Sequence, residues 1–231
     1  MMKRLVDLSR YRNPPAKPGE AYIPTSQEQI ANIITHGFFV VPAYQAMDTL
    51  HHLALDKSYS HKAIAWVYGI SLVLIFSIST FFHVISLSGR LRNLRHILHL
   101  CDRGIIYFFI AASYMPWLVL RDVGIWGDRL SWLLWIGAIM GTLYNCIFHE
   151  KYKTLETVFY LMFGVLPSLP LIFQASDTAG LIEVALGGAF YIGGVYFFKS
   201  DGKITFAHAI WHVFCATGAC LHFYAVYTHL Y

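Results

Sequence analysis

His208 and His212 stand four residues apart in the apolar run "ITFAHAIWHVFCATGAC", and on a helix that spacing puts both imidazoles on one face. Two imidazoles begin a transition-metal site but do not complete one. With 12 histidines in 231 residues, about 0.6 such pairs arise by chance, so this pair needs partners from elsewhere in the chain. "SISTFFH" offers a second set, because Ser79 and His83 are again four apart, and "LCDRGII" adds a carboxylate, Asp102. Three imidazoles satisfy zinc and leave one position open, the pattern of a catalytic centre rather than a closed structural one. In that reading His83, His208 and His212 are the metal ligands, and Asp102 orients or deprotonates a water. Ser79 hydrogen-bonds either that water or a substrate carbonyl. A zinc ion that only clamps the segments together is the alternative.

These residues must be brought together by membrane-spanning helices. Hydrophobic residues make up 57% of the chain and charged residues 13%, about half the share that coats a soluble domain. Apolar stretches recur near 33–53, 63–86, 103–120, 130–148, 155–174, 181–198 and 207–229, joined by short charged connections. The expected fold is an all-α membrane protein, a bundle of seven transmembrane helices. Residues 1–32 form a cytosolic N-terminal tail and pre-helix, and residues 33–231 form the helix domain. Thirteen of the 17 Lys and Arg fall on the side of the N-terminus, from Lys3, Arg4, Arg10, Arg12 and Lys17 to Lys199 and Lys203. Only Lys57, Lys62, Arg121 and Arg129 lie on the other side. The positive-inside bias makes the first side cytosolic and places the C-terminus in the lumen or outside the cell. With these directions His83, Asp102, His208 and His212 fall at one depth in the cytosolic leaflet, where ionisable side chains are costly and tend to mark function.

Other features read mainly as structure. "GGAFYIGG" allows the sixth span to pack closely, and Pro167 and Pro170 should kink the fifth. "LSGRLRNLRHILHL" reads as a short interfacial helix on the cytosolic surface, with a specific phosphoinositide site as the alternative. Glu28, Asn32, Thr35 and His36 form a polar stripe at the start of the first span, facing the bundle or serving as caps and interhelix hydrogen bonds. His149, Glu150, His51 and His52 fall at span ends and are assigned no chemistry. Cys101, Cys146, Cys215 and Cys220 have no CxxC spacing, so neither a disulfide framework nor a thiolate zinc site is expected. The N-terminal stretch lacks an apolar core, so no cleavable leader is expected. The basic clusters suit anionic lipid rather than nucleic acid. No span carries the continuous polar stripe of a water-filled pore.

"STFFH", "CDRG" and "HAIWH", with "EQIANIITHG" upstream, resemble the motifs of the progestin and adipoQ receptor family, also called hemolysin III-related. "HEKYK" and "VYFFKSDGKITFAHAIWH" are similar to its monocyte to macrophage differentiation factor branch. The resemblance implies seven helices with a cytosolic N-terminus and zinc on His83, His208 and His212. It also implies Asp102 on the zinc-bound water with Ser79 beside it. Family members resemble membrane hydrolases of ceramide-like lipid amides, and some are described as receptors for adiponectin or progestins. The branch implies Golgi or late endosomal and lysosomal membranes, with the plasma membrane as an alternative, and a role in growth signalling. Two functions therefore compete. One is a zinc-dependent hydrolase of a ceramide-like amide, with the lipid or its fatty acid held in the helix bundle. The other is a non-catalytic receptor or scaffold that engages a small GTPase or a lipid-metabolic enzyme, with zinc structural.

Overall fold

The computed structural model describes residues 8–174 and 178–231. Lys3 and Arg4 of the basic N-terminal group, and Asp177 of the "SDTAG" connection, lie outside the described residues. A short 3-10 turn at Leu8–Tyr11 precedes an extended strap that leads into α1, Ser26–Ala54. Then come α2 (Tyr59–Ser88), α3 (Arg92–Leu120), α4 (Trp126–Phe148), α5 (Lys153–Val165), α6 (Ser168–Gln174), α7 (Leu181–Phe198) and α8 (Ala207–Leu230). No strand occurs among the described residues.

Local chemistry sets the helix ends. Thr25 caps α1 in a capping box with Glu28, which extends the helix seven residues upstream of the apolar span expected from residue 33. Ser58 caps α2, and Gly89 closes it in the left-handed region at φ 65°. The basic "RLRNLRH" segment does not form a helix of its own. From Arg92 on it is the first turns of α3, which runs unbroken to Leu120, because no glycine or proline intervenes before Gly104 and the apolar face continues through Leu98. The fifth span, expected to kink, is interrupted at Pro167: α5 stops at Val165, and α6 restarts at Ser168 with Pro170 in its first turn.

Packing inverts the soluble pattern. Ile34, Phe38 and Val41 of α1, Trp132 and Ile136 of α4, and Ile182 of α7 are all exposed by more than half. Asn32, His36, Ser79, His83, Asn145, Glu156 and His212 are buried. Apolar outside and polar inside is a molecule solvated by lipid. Among the described residues, six helical rods are long and apolar enough to cross a bilayer: α2, α3, α4, the α5–α6 pair, α7 and α8. The chain is a multi-pass membrane protein. α1 is long enough, with 29 residues, but too polar by composition to join that set.

Close helix approaches use small residues. A Cβ at Gly187 of α7 would lie 2.3 Å from the His222 ring and 3.1 Å from the Gly218 carbonyl of α8. Together α1, α2, α3 and α8 bring the starts of α1, α3 and α8 and the end of α2 to one end of the bundle.

Candidate metal centre

His83 lies on the last turns of α2, and His208 and His212 on the first turns of α8. Their ring centroids are 5.4 Å (His83–His208), 5.2 Å (His83–His212) and 4.6 Å (His208–His212) apart. One ring nitrogen from each lies within 4.8 Å of the others. A tetrahedral ion with bonds of about 2.0–2.1 Å holds its ligand nitrogens about 3.3 Å apart, so rotations of order 1 Å close the set. His83 and His212 are fully buried, and His208 is half-buried.

The partners of these rings decide which nitrogen faces inward. His83 Nδ1 lies 2.7 Å from Gln29 Oε1, an acceptor, so Nδ1 carries the proton. The Thr35 hydroxyl donates to the Ala31 carbonyl at 2.8 Å, so its oxygen accepts from His212 Nδ1 at 3.1 Å. Asp201 Oδ2 stands 3.5 Å from His208 Nδ1. His83 and His212 are thus held at Nδ1 by an oxygen and left with a bare Nε2 lone pair, the arrangement that orients metal-binding histidines, and the Asp201 carboxylate stands on the Nδ1 side of His208. His83 Nε2 is buried with no hydrogen-bond partner, as are Ser79 Oγ and Asn32 Oδ1. Such orphaned polar atoms around one point fit a cation and its water. The residues present therefore suit a metal ion bound by three nitrogens, with a position left open.

Ser79 and Asp102 line the same cavity as the three rings, and Asp102 is within electrostatic reach of His208. The cavity encloses about 1060 Å³. From Asp102 its wall runs along α3 to Trp117, 15 residues or about 22 Å along the helix. Phe109, Tyr114, Leu171 and Leu181 make that far part apolar.

The polar stripe on α1 divides. Glu28 is committed to the cap, accepting from the Thr25 amide at 2.8 Å and the Tyr22 hydroxyl at 2.9 Å. Asn32 Nδ2 lies 3.5 Å from His83 Nδ1, and His36 stacks on His212 with centroids 3.6 Å apart. Those residues serve the site. Gln29 and Asp201 were not singled out in the sequence. The available signals were that Gln29 lies one turn before Asn32, and that Asp201 is the acid in the short turn before α8.

A second group of donors was also missed: His99 of α3 with His149 and Glu150 of the α4–α5 turn, again within 4.8 Å. By distance this group could hold a metal ion. His149 Nε2 is 3.1 Å from His99 Nδ1, and Glu150 adopts φ 62°, in the left-handed region. Its surroundings differ from those of the first group. Glu150 Oε1 lies 3.0 Å from Arg103, Glu150 Oε2 pairs with Lys153, and Arg103 also binds Glu156. Burial pushes the His149 pKa down, with Arg103, His96 and Lys153 adding to it and Glu150 opposing. His51 and His52 remain apart, against Trp66 and Asp48.

Residues 25–223 match the family model described as "Haemolysin-III related". The human monocyte to macrophage differentiation factor is 47% identical over 96% of this chain and 92% of its own length. The Hemolysin-3 homolog of Bacillus subtilis (strain 168) is 31% identical over 87% of this chain and 94% of its own.

Proposed function

The chain belongs to the haemolysin-III-related family, the progestin and adipoQ receptor group, and from that membership and the site we propose a zinc-dependent hydrolase of a ceramide-like lipid amide. The observation that carries this reading is the set of three imidazoles, two buried and one half-buried, each with an oxygen on its Nδ1 side, with Asp102 and Ser79 on the wall of the same lipid-sized cavity. In this proposal α1 crosses the membrane with the six apolar rods, giving seven spans. The N-terminus is then cytosolic, by the charge bias of the connections, and the site lies in the cytosolic leaflet.

Zinc on His83, His208 and His212 would supply Lewis acidity toward the amide carbonyl and lower the pKa of water toward neutrality. The chain's own residues do the rest. Asp102 accepts the proton of the water that attacks the carbonyl carbon. It returns that proton to the amide nitrogen as the C–N bond breaks, releasing a fatty acid and an amine. Ser79 donates its hydroxyl hydrogen to the carbonyl oxygen and orients it. The apolar wall from Phe109 to Trp117 takes the acyl chain and excludes bulk water. The test is purified protein with fluorescent ceramides: fatty acid is released by wild type and not by His212→Ala. No turnover across a broad panel of lipid amides, with metal bound, overturns the hydrolase.

The second reading is a receptor or scaffold, favoured by the fact that the same imidazoles join α2 to α8 and would brace the bundle without any reaction. Under it, Ser79→Ala and Asp102→Asn leave the cellular phenotype intact. Residence in Golgi or late endosomal membranes belongs to the same proposal as either function.

A further inference from the structure

Beyond the metal centre, the cavity's polar end carries more positive charge than its acids can match. Five basic side chains line the cavity, Arg95, Arg103, Lys153, Lys199 and Lys203, against Asp102, Glu150 and Asp201. Two of those acids are engaged with the imidazoles: Asp201 holds His208, and Asp102 is within its electrostatic reach. Glu150 is matched by Arg103 and Lys153 together, and Arg103 is bound from behind by Glu156. Arg95, Lys199 and Lys203 are exposed along this wall, and among the described residues none has a carboxylate within salt-bridge distance. Lys199 Nζ donates to a hydroxyl, Thr154 Oγ1, at 3.5 Å. Burial and the neighbouring Lys153 and Arg103 push the Lys199 ammonium pKa down.

The same charges argue against a second metal ion. To bind His99, His149 and Glu150, an ion would have to draw Glu150 from two cations and then sit among them, where Coulomb repulsion opposes it. An anion meets the opposite conditions. The ammonium groups are compact donors that rotate to suit it, and His149 Nδ1 is a buried nitrogen with no hydrogen-bond partner.

We propose that this end of the cavity is a subsite for a phosphate ester, held by Lys199, Lys203 and Arg95 against the fixed wall of Arg103, Lys153 and His149. A neutral headgroup would leave these exposed cations to water, whereas a phosphate would carry two negative charges and several acceptor oxygens to them. The occupant is a lipid whose phosphorylated headgroup sits here while its chain lies along the apolar wall toward Trp117. This inference rests on the reading that the cavity holds a lipid, but not on that lipid being cleaved.

The experiment measures binding to the full-length, metal-loaded protein in detergent. The probes are short-chain ceramide 1-phosphate, ceramide of the same chain, and inorganic phosphate as competitor. Wild type should bind the phosphorylated lipid at least about tenfold more tightly than the neutral one, with a preference that weakens as salt is raised. Lys199→Gln with Lys203→Gln should abolish the preference while leaving the neutral lipid bound. The charge-retaining pair Lys199→Arg with Lys203→Arg should keep it, which separates charge from folding. Equal affinity for the two lipids in wild type, or an unchanged preference in the Gln pair, overturns the proposal. Displacement by inorganic phosphate at equal concentration retains the anion site but overturns its lipid source. A phosphate preference that persists in His212→Ala supports the subsite independently of any reaction, and absence of turnover would then sink only the hydrolase.

Discussion

Two clusters in this molecule offer nearly the same donors over the same span, yet they are built for opposite charges. His83, His208 and His212 lie within 4.8 Å of one another, as do His99, His149 and Glu150. Around the first, an oxygen stands beside each Nδ1: Gln29 Oε1, Thr35 Oγ1 and Asp201 Oδ2. They fix the protons outward and leave lone pairs inward. Around the second, Arg103 and Lys153 have already neutralised the one carboxylate. Donor spacing alone would rank the two alike. The surrounding residues separate them, because a buried cation is tolerated only where the neighbouring charges and dipoles favour it.

Substitutions can break this comparison or sharpen it. His212→Ala should remove bound metal altogether and with it all turnover, checked by elemental analysis beside a ceramide assay. Asp102→Asn should keep the metal and lower turnover by about 10²–10⁴-fold, the usual loss with a general base. In the second cluster, Arg103→Ala leaves Glu156 buried without its cation and Glu150 with Lys153 alone, and should cost about 3–5 kcal/mol, read as a fall in the thermal midpoint in detergent. Its metal content should not change. Gln29→Ala frees the His83 ring and should weaken metal binding by about 10–100-fold in a chelator titration, with the fold intact. The smallest effect is expected from His149→Ala, which should leave one metal ion per chain, as in wild type. A second equivalent lost on that substitution would erase the distinction between the clusters.

The legible parts of the molecule are those set by local sequence. Helical spacing puts Ser79 with His83 and His208 with His212, and the alternating direction of the helices brings the end of α2 and the starts of α3 and α8 to one cavity. Proline chemistry marks the place where α5 gives way to α6, though as an expected kink rather than a break. Residues whose role depends on a distant partner were not legible. Gln29 is an ordinary helix residue until α2 brings His83 within 2.7 Å, and Asp201 is an ordinary turn acid until α8 folds back beside it. His149 and Glu150 looked like interfacial residues at a span end. Only the packing of the α4–α5 turn onto α3 shows that they face His99 and Arg103. The basic segment after Gly89 looked like a separate surface helix because its charge contrasts with the apolar stretch from Gly104 onward. The backbone has no such boundary, and a continuous α3 carries both.

The central claim is that an intramembrane cation is held by α2 and α8 through three imidazoles. Elemental analysis of the full chain purified without added metal, beside the His83→Ala, His208→Ala, His212→Ala triple variant, tests it most directly. The account predicts close to one zinc per chain in wild type and none in the variant. A wild-type protein free of metal, or a variant that still retains its zinc, would contradict it.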